Sequence, residues 1–242
     1  MEPVRLNKYL SDHGVCSRRE ADRLTELGAV LVNGKPAAVG QKVTDSDVIT
    51  VEGKPVSGAP REKVIIAVNK PVDVVCTTRS FKGEKNILEL LPDRKARLYP
   101  VGRLDKDSEG LIFLTNDGAF TAELTRAAGL HEKEYEVVLN KEPTDDFIKR
   151  LEKGVYLREL QKTTAPCKIT RAGEKKLRII LTQGLNRQIR RMCGACGYEV
   201  RSLKRVRIMN VLLGDLKPGS YRELKGEEKA VLMKNVMRGA KK

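Results

Sequence analysis

The residues best suited to chemistry lie in one short run, Gly102-Arg103-Leu104-Asp105-Lys106-Asp107-Ser108-Glu109-Gly110-Leu111. It places three carboxylates and two cations within ten residues, just before Leu111-Ile112-Phe113-Leu114, which reads as a buried strand. A loop mounted on a rigid strand is a firm support for a catalytic group. A carboxylate kept ionised by neighbouring cations can add to an electrophile, accept a proton or face a developing positive charge. Spacing does not choose between Asp105 and Asp107, which share a side in an extended loop. A charged turn has the same composition. A second run, Arg187-Gln188-Ile189-Arg190-Arg191, gathers guanidinium groups, whose planar forks bind two acceptors of a phosphate or base edge at once.

The whole chain supports an anionic partner. Its 242 residues carry 47 Lys plus Arg against 32 Asp plus Glu, a net charge of +15. The excess sits in residues 151–242, with 23 basic and 8 acidic side chains, whereas residues 101–150 carry 7 and 11. That imbalance points to a nucleic acid ahead of an anionic membrane. A hydrophobic fraction of 40% excludes global disorder, and no apolar run reaches the ~20 residues of a membrane-spanning helix. The N-terminal residues have no leader pattern, and five scattered cysteines do not form a secreted disulfide framework, so the expected location is the cytoplasm. Cys193-x-x-Cys196 lacks a second ligand pair, so no metal site is expected. His13 reads as structural, and His131 as a nucleic-acid contact.

The elements that position these groups follow from pattern. Residues 1–60 read as a small module. Ser17-Arg18-Arg19-Glu20 is a capping box, Ala21, Leu24 and Leu27 form a helical stripe, and Gly28 stops the helix. Asn33-Gly34 marks a hairpin and Val48–Val51 a closing strand. Ser57–Lys63 is a linker by composition. From residue 64 to 242 strands are expected at Val64–Val68, Leu111–Leu114, Tyr135–Leu139 and Leu177–Leu181. Helices are expected near 119–128, 143–153 and 186–195, with Thr144 capping the second. The fold class is α+β, with a mixed, mainly antiparallel sheet.

The runs Arg5–Leu10, Cys16–Ala21 and Gly28–Lys35 resemble the S4 RNA-binding domain. That resemblance implies RNA contact by Arg5, Lys8, Arg18, Arg19 and Arg23. Gly102-Arg103-Leu104-Asp105, followed by Ser108 and Gly110-Leu111, resembles the signature of pseudouridine synthases of the small-subunit (RsuA) type. Asn69-Lys70-Pro71, Lys133-Glu134-Tyr135, Gly184–Met192 and the block holding Leu203, Arg205 and Ile208 agree with it, over residues 3–224 in all. His131–Tyr135 and Arg207–Val211 resemble the branch of F-type large-subunit enzymes. One departure is Asp73, where the family usually has Gly. The chain ends soon after this domain, without the long basic tail of some relatives.

The resemblance implies a cofactor-free isomerisation of uridine in a structured RNA stem-loop, foremost in large-subunit ribosomal RNA, by a monomer. The target nucleotide is flipped into a closed pocket. It assigns Asp105 as the reacting carboxylate and Tyr135 as the residue stacked on uracil. Arg190 is the partner of Asp105, and Arg103 helps flip or hold the nucleotide. Lys70, Lys133, Asn186, Arg187, Gln188, Arg191 and Arg205 are assigned to RNA contact. No Gly-rich dinucleotide or phosphate loop occurs.

Overall fold

Apolar residues at helical spacing, followed by short β-branched runs, build the first unit of the chain. In the computed structural model, which describes residues 2–57, 60–79, 81–91, 97–126 and 130–239, two compact units emerge. The first runs to Lys63 and takes in Arg97; the second comprises the rest from Val64 onward. Of the expected linker, Gly58 and Ala59 lie outside the described residues.

The first unit contains β1 (Val4–Arg5), α1 (Leu6–Asp12), α2 (Arg18–Glu26), β2 (Val30–Val32), β3 (Lys35–Pro36), β4 (Lys42–Val43), β5 (Ile49–Val51) and β6 (Lys54–Pro55). Ser17 Oγ accepts the Glu20 N–H at 3.0 Å, so α2 is capped as its sequence requires. The reciprocal half of the box is replaced: the Glu20 carboxylate takes the Arg23 guanidinium instead. Asn33 and Gly34, at φ 50° and 76°, make the left-handed turn between β2 and β3. Leu6, Leu10, Ala21, Leu24, Val30 and Ile49 close the core of this unit.

The second unit contains β7 (Ile65–Lys70), β8 (Val74–Val75), β9 (Lys85–Asn86), β10 (Tyr99–Pro100), β11 (Glu109–Thr115), α3 (Gly118–Thr125), β12 (Lys133–Leu139), α4 (Asp145–Lys153), β13 (Tyr156–Leu157), β14 (Lys162–Thr163), β15 (Lys168–Gly173), β16 (Lys176–Leu181), α5 (Gln188–Ala195), β17 (Val200–Ile208), β18 (Val211–Leu212), β19 (Tyr221–Glu223) and α6 (Gly226–Gly239). Its main sheet runs β15-β16-β12-β17-β11-β7-β19, with β10 on β11 and β18 on β17. Only β11 and β17 pair in parallel within it. The α+β class is thus observed. Thr144 Oγ1 caps α4 by accepting the Phe147 N–H, with Asp145 and Asp146 in the first turn and Arg150 and Lys153 in the last. Asp117 caps α3, which starts at Gly118, one residue before the expected start, and the expected end at residue 128 lies outside the described residues.

Each face of the sheet is covered. Val137, Leu139, Leu177 and Ile179 pack with Phe147 and Leu151 of α4 and with Ile189 and Met192 of α5. Ile65, Ala67, Leu111 and Phe113 pack with Phe120 and Leu124 of α3 and Leu232 and Val236 of α6. Alternate residues of β11, Ile112 and Leu114, are fully buried as well, which explains an apolar run where a half-exposed strand would alternate. Among the described residues no helix is long and apolar enough to cross a membrane.

Candidate active site

The pairing registers align one row across five strands: Lys70 on β7, Gly110 on β11, Arg205 on β17, Tyr135 on β12 and Ile179 on β16. The row demands a glycine at 110. Its φ is +105°, and a Cβ there would stand 2.3 Å from the Arg205 carbonyl oxygen and 2.6 Å from the Arg205 nitrogen. Gly110 therefore lets β17 close on β11 at the point where the Asp105 loop enters the sheet.

That loop is held from below. Lys70 is fully buried, and its three ammonium hydrogens point at the carbonyl oxygens of Pro71 (2.8 Å), Val74 (2.9 Å) and Lys106 (3.4 Å). Burial pushes its pKa down. Lys70 was expected at RNA; here it staples the loop after β7 to the Asp105 loop, because a buried ammonium needs acceptors more than it needs solvent. The Asp73 N–H also donates to the Lys106 carbonyl, at 2.8 Å, from a left-handed conformation with φ 63°. This explains the departure from Gly at that position, since Asp is among the few other residues that enter this region readily. The Leu104 N–H donates to Cys76 Sγ, and the Ser108 N–H to the Asp105 carbonyl. The Asp105 side chain emerges with 31% of its surface exposed.

The cations reach the loop from α5, in a different pattern from the expected one. Arg187, at φ 50° on the N-terminal cap of α5, donates to both carboxylate oxygens of Asp107, at 3.1 and 2.7 Å, and stands 3.8 Å from Asp105 Oδ2. Arg190 was expected on Asp105. Its Nη2 donates instead to the Asp107 carbonyl at 2.8 Å, its Nη1 to the Val200 carbonyl at 2.9 Å, and its Nε lies 3.3 Å from Asp107 Oδ2. The physical reason is reach: Nη1 is anchored on the start of β17, which turns the rest of the guanidinium onto Asp107. The Arg187 hydrogen bonds hold the Asp107 carboxyl below the usual range.

The other expected contacts divide by burial. Arg103, Asn186 and Arg187 are exposed, and Arg191 donates to the Asn186 carbonyl and side chain while pairing with Glu159. Arg205 is 4% exposed and donates to the Leu111 carbonyl at 2.6 Å, and Gln188 accepts the Leu185 N–H; both are built into the scaffold instead of facing solvent. Arg205 Nη2 has no hydrogen-bond partner among the described residues. Lys133, beside Tyr135 on β12, donates to the His131 carbonyl, and burial, then the Arg205 charge, lower its pKa to about 8. His131, expected at RNA, is buried with Nε2 at the Glu123 carbonyl; His13 stacks on Tyr9. In the first unit Arg5, Arg18 and Arg19 are exposed, Arg23 pairs with Glu20 and Lys8 with Asp12. Cys193, buried and pushed up to about 12, is a packing residue.

Residues 64–195 match the family model described as RNA pseudouridylate synthase, and residues 4–49 match the S4 domain. The chain is 48% identical to the dual-specificity RNA pseudouridine synthase RluF of Salmonella typhi, over 96% of this chain and 79% of that protein. It is 37% identical to the ribosomal large subunit pseudouridine synthase B of Bacillus subtilis (strain 168), with 93% of each covered. A crystal structure of pseudouridylate synthase superposes with a TM-score of 0.69 at 27% identity, covering 96% of this chain and 99% of that one.

Proposed function

Because this chain belongs to the RNA pseudouridylate synthase family and is an RNA pseudouridine synthase, we propose that it acts on a uridine of large-subunit ribosomal RNA, with Asp105 as the reacting carboxylate. The observation that carries this reading is the placement of Asp105: a solvent-accessible carboxylate on a loop stapled by Lys70, 3.8 Å from a guanidinium and next to the strand row that holds Tyr135. Isomerisation breaks the bond from N1 of uracil to C1′, with the electron pair leaving on the base. The base turns, C5 bonds to C1′, the C5 proton departs and N1 takes up a proton, so nothing is oxidised or reduced. Asp105 adds to C1′ or to the base, that bond breaking again before the product leaves, or takes a proton from the sugar and returns it, and Tyr135 supplies an aromatic wall for the loose uracil.

Arg103, exposed on the same loop, helps hold the flipped nucleotide, while Arg187, Arg191 and Asn186 face phosphates, and Arg5, Lys8, Arg18, Arg19 and Arg23 grip a folded stem-loop. The enzyme works in the cytoplasm as a monomer. Large-subunit RNA is favoured by the name of the Bacillus relative, and the dual specificity named for the Salmonella relative makes a second RNA worth assaying. The test incubates the protein, without cofactor, with ribosomal RNA and tRNA from a strain lacking its gene, and maps pseudouridine by carbodiimide-dependent reverse-transcription stops. New stops in large-subunit RNA that vanish with Asp105→Asn are expected. Stops confined to tRNA or small-subunit RNA would overturn the substrate assignment, and stops surviving Asp105→Asn would overturn the carboxylate assignment.

A further inference from the structure

Two carboxylates stand two residues apart in this loop, yet the cations divide between them unequally. Asp107 takes the full fork of Arg187 and, through its own carbonyl, the Arg190 Nη2, with the Arg190 Nε at 3.3 Å but not hydrogen-bonded; among the described residues Asp105 has only the 3.8 Å approach of Arg187. The two arginines differ in kind. Arg190 is 14% exposed and tied at both ends, to Asp107 and to Val200. Arg187 is 40% exposed, as Asp107 is at 46%, and the geometry they share, two parallel N–H donors on two anionic oxygens, is what a phosphate would offer the same fork. An exposed ion pair is readily exchanged, because water and salt already compete for it. The half-buried one is not.

We propose that Asp107 is a positioning residue with two duties: it stands in for a backbone phosphate on Arg187 until RNA displaces it, and it keeps Arg190 on the Asp105 loop throughout. The inference rests on the reading of Asp105 as the reacting carboxylate. It implies that Asp107 lowers RNA affinity while raising turnover, a combination that a merely structural residue does not produce. The other charged groups close by, Lys70 and Asp105, leave this division intact, since Lys70 is spent on backbone carbonyls.

The test measures Kd for the substrate RNA and kcat under saturating RNA in wild type, Asp107→Asn, Arg187→Gln and the double variant. Asp107→Asn is expected to tighten RNA binding about 3–10-fold and to slow turnover about tenfold or more. The gain in affinity is expected to vanish in the double variant, because it runs through the freed Arg187, and Asp107→Glu is expected to recover part of kcat. Weaker or unchanged RNA binding by Asp107→Asn, or unchanged kcat, would overturn the proposal. Arg187→Gln alone leaves the loop sequence intact and reads the same exchange: the slope of log Kd against log salt is expected to drop by about one phosphate, roughly 0.7–0.9. An unchanged slope would refute it even if Asp107→Asn failed to fold. Asp105→Asn, run alongside, separates the two claims, since turnover surviving in that variant sinks the underlying reading whatever Asp107 does.

Discussion

Gly110→Ala is the sharpest challenge to the account of the site. The substitution adds one carbon where the structure has no room. That carbon would sit 2.3 and 2.6 Å from the oxygen and nitrogen of Arg205, backbone atoms of a central strand that cannot swing aside as a side chain can. Forcing an L-residue to φ +105° adds strain of about 1–2 kcal/mol. Relieving the overlap by parting β11 from β17 adds about 1–3 kcal/mol, in the manner of an overpacked core. Together the loss is about 2–5 kcal/mol, which for a domain of this size lowers the melting temperature by about 4–20 °C. The measurement is a urea titration followed by fluorescence or circular dichroism, supported by a thermal melt. The midpoint moves down at constant m, because the surface exposed on unfolding is unchanged. Turnover at a temperature where the variant is folded also falls, since the same parting moves the loop that carries Asp105. A melting shift below about 2 °C would show that the two strands are not locked at this point, and the argument that the glycine sets the site would fail.

Other outcomes follow from single contacts. Asp117→Ala removes the acceptor for the Ala119 and Phe120 N–H groups at the start of α3 and is expected to cost about 1 kcal/mol, a fall of about 2–4 °C in Tm, with activity retained below the melt. Lys133 is charged at neutral pH against its burial and the Arg205 charge, with His131 neutral beside it, while Glu132 and Glu134 are held by Arg207. Its folded pKa of about 8 lies below the unfolded 10.5, so the unfolded chain binds more protons between those values and stability rises with pH across that window. Lys133→Met is therefore expected to raise the urea midpoint at pH 7, by on the order of 1–3 kcal/mol in stability, with the gap closing by about pH 10; a constant gap would contradict the origin given for the shift. Tyr135→Phe is expected to bind RNA at wild-type affinity and turn over about tenfold or more slower, and wild-type rates in that variant would leave only the ring with a role.

Much of this architecture can be read directly from residue order, because the signals are local. Asn33-Gly34 can hardly do anything but turn, Thr144 and Ser17 offer the oxygen a helix start lacks, and Leu111–Leu114 is too apolar for a surface. The side-chain partners at the site are another matter. Lys70 and Arg205 are cations, and composition assigns cations to solvent; their burial follows from carbonyl oxygens contributed by residues 36 and 94 positions away. Asp105 and Asp107 are equivalent on spacing, and only the arrival of α5, some 80 positions later, distinguishes them. The left-handed backbone of Asp73 and Arg187 has no strong local signature either, since neither is a glycine.

β17 lies between β11 and β12, although both precede it in the chain by more than 60 residues. During synthesis a nascent chain that has reached residue 198 carries the Asp105 loop on one strand and Tyr135 on another, before β17, the strand that parts them, has been made. The two strands then present open edges to each other, and direct pairing between them would be a trap that must be undone before β17 can insert. The row that brings the Asp105 loop beside Tyr135 forms only once residues through Ile208 are available to pair.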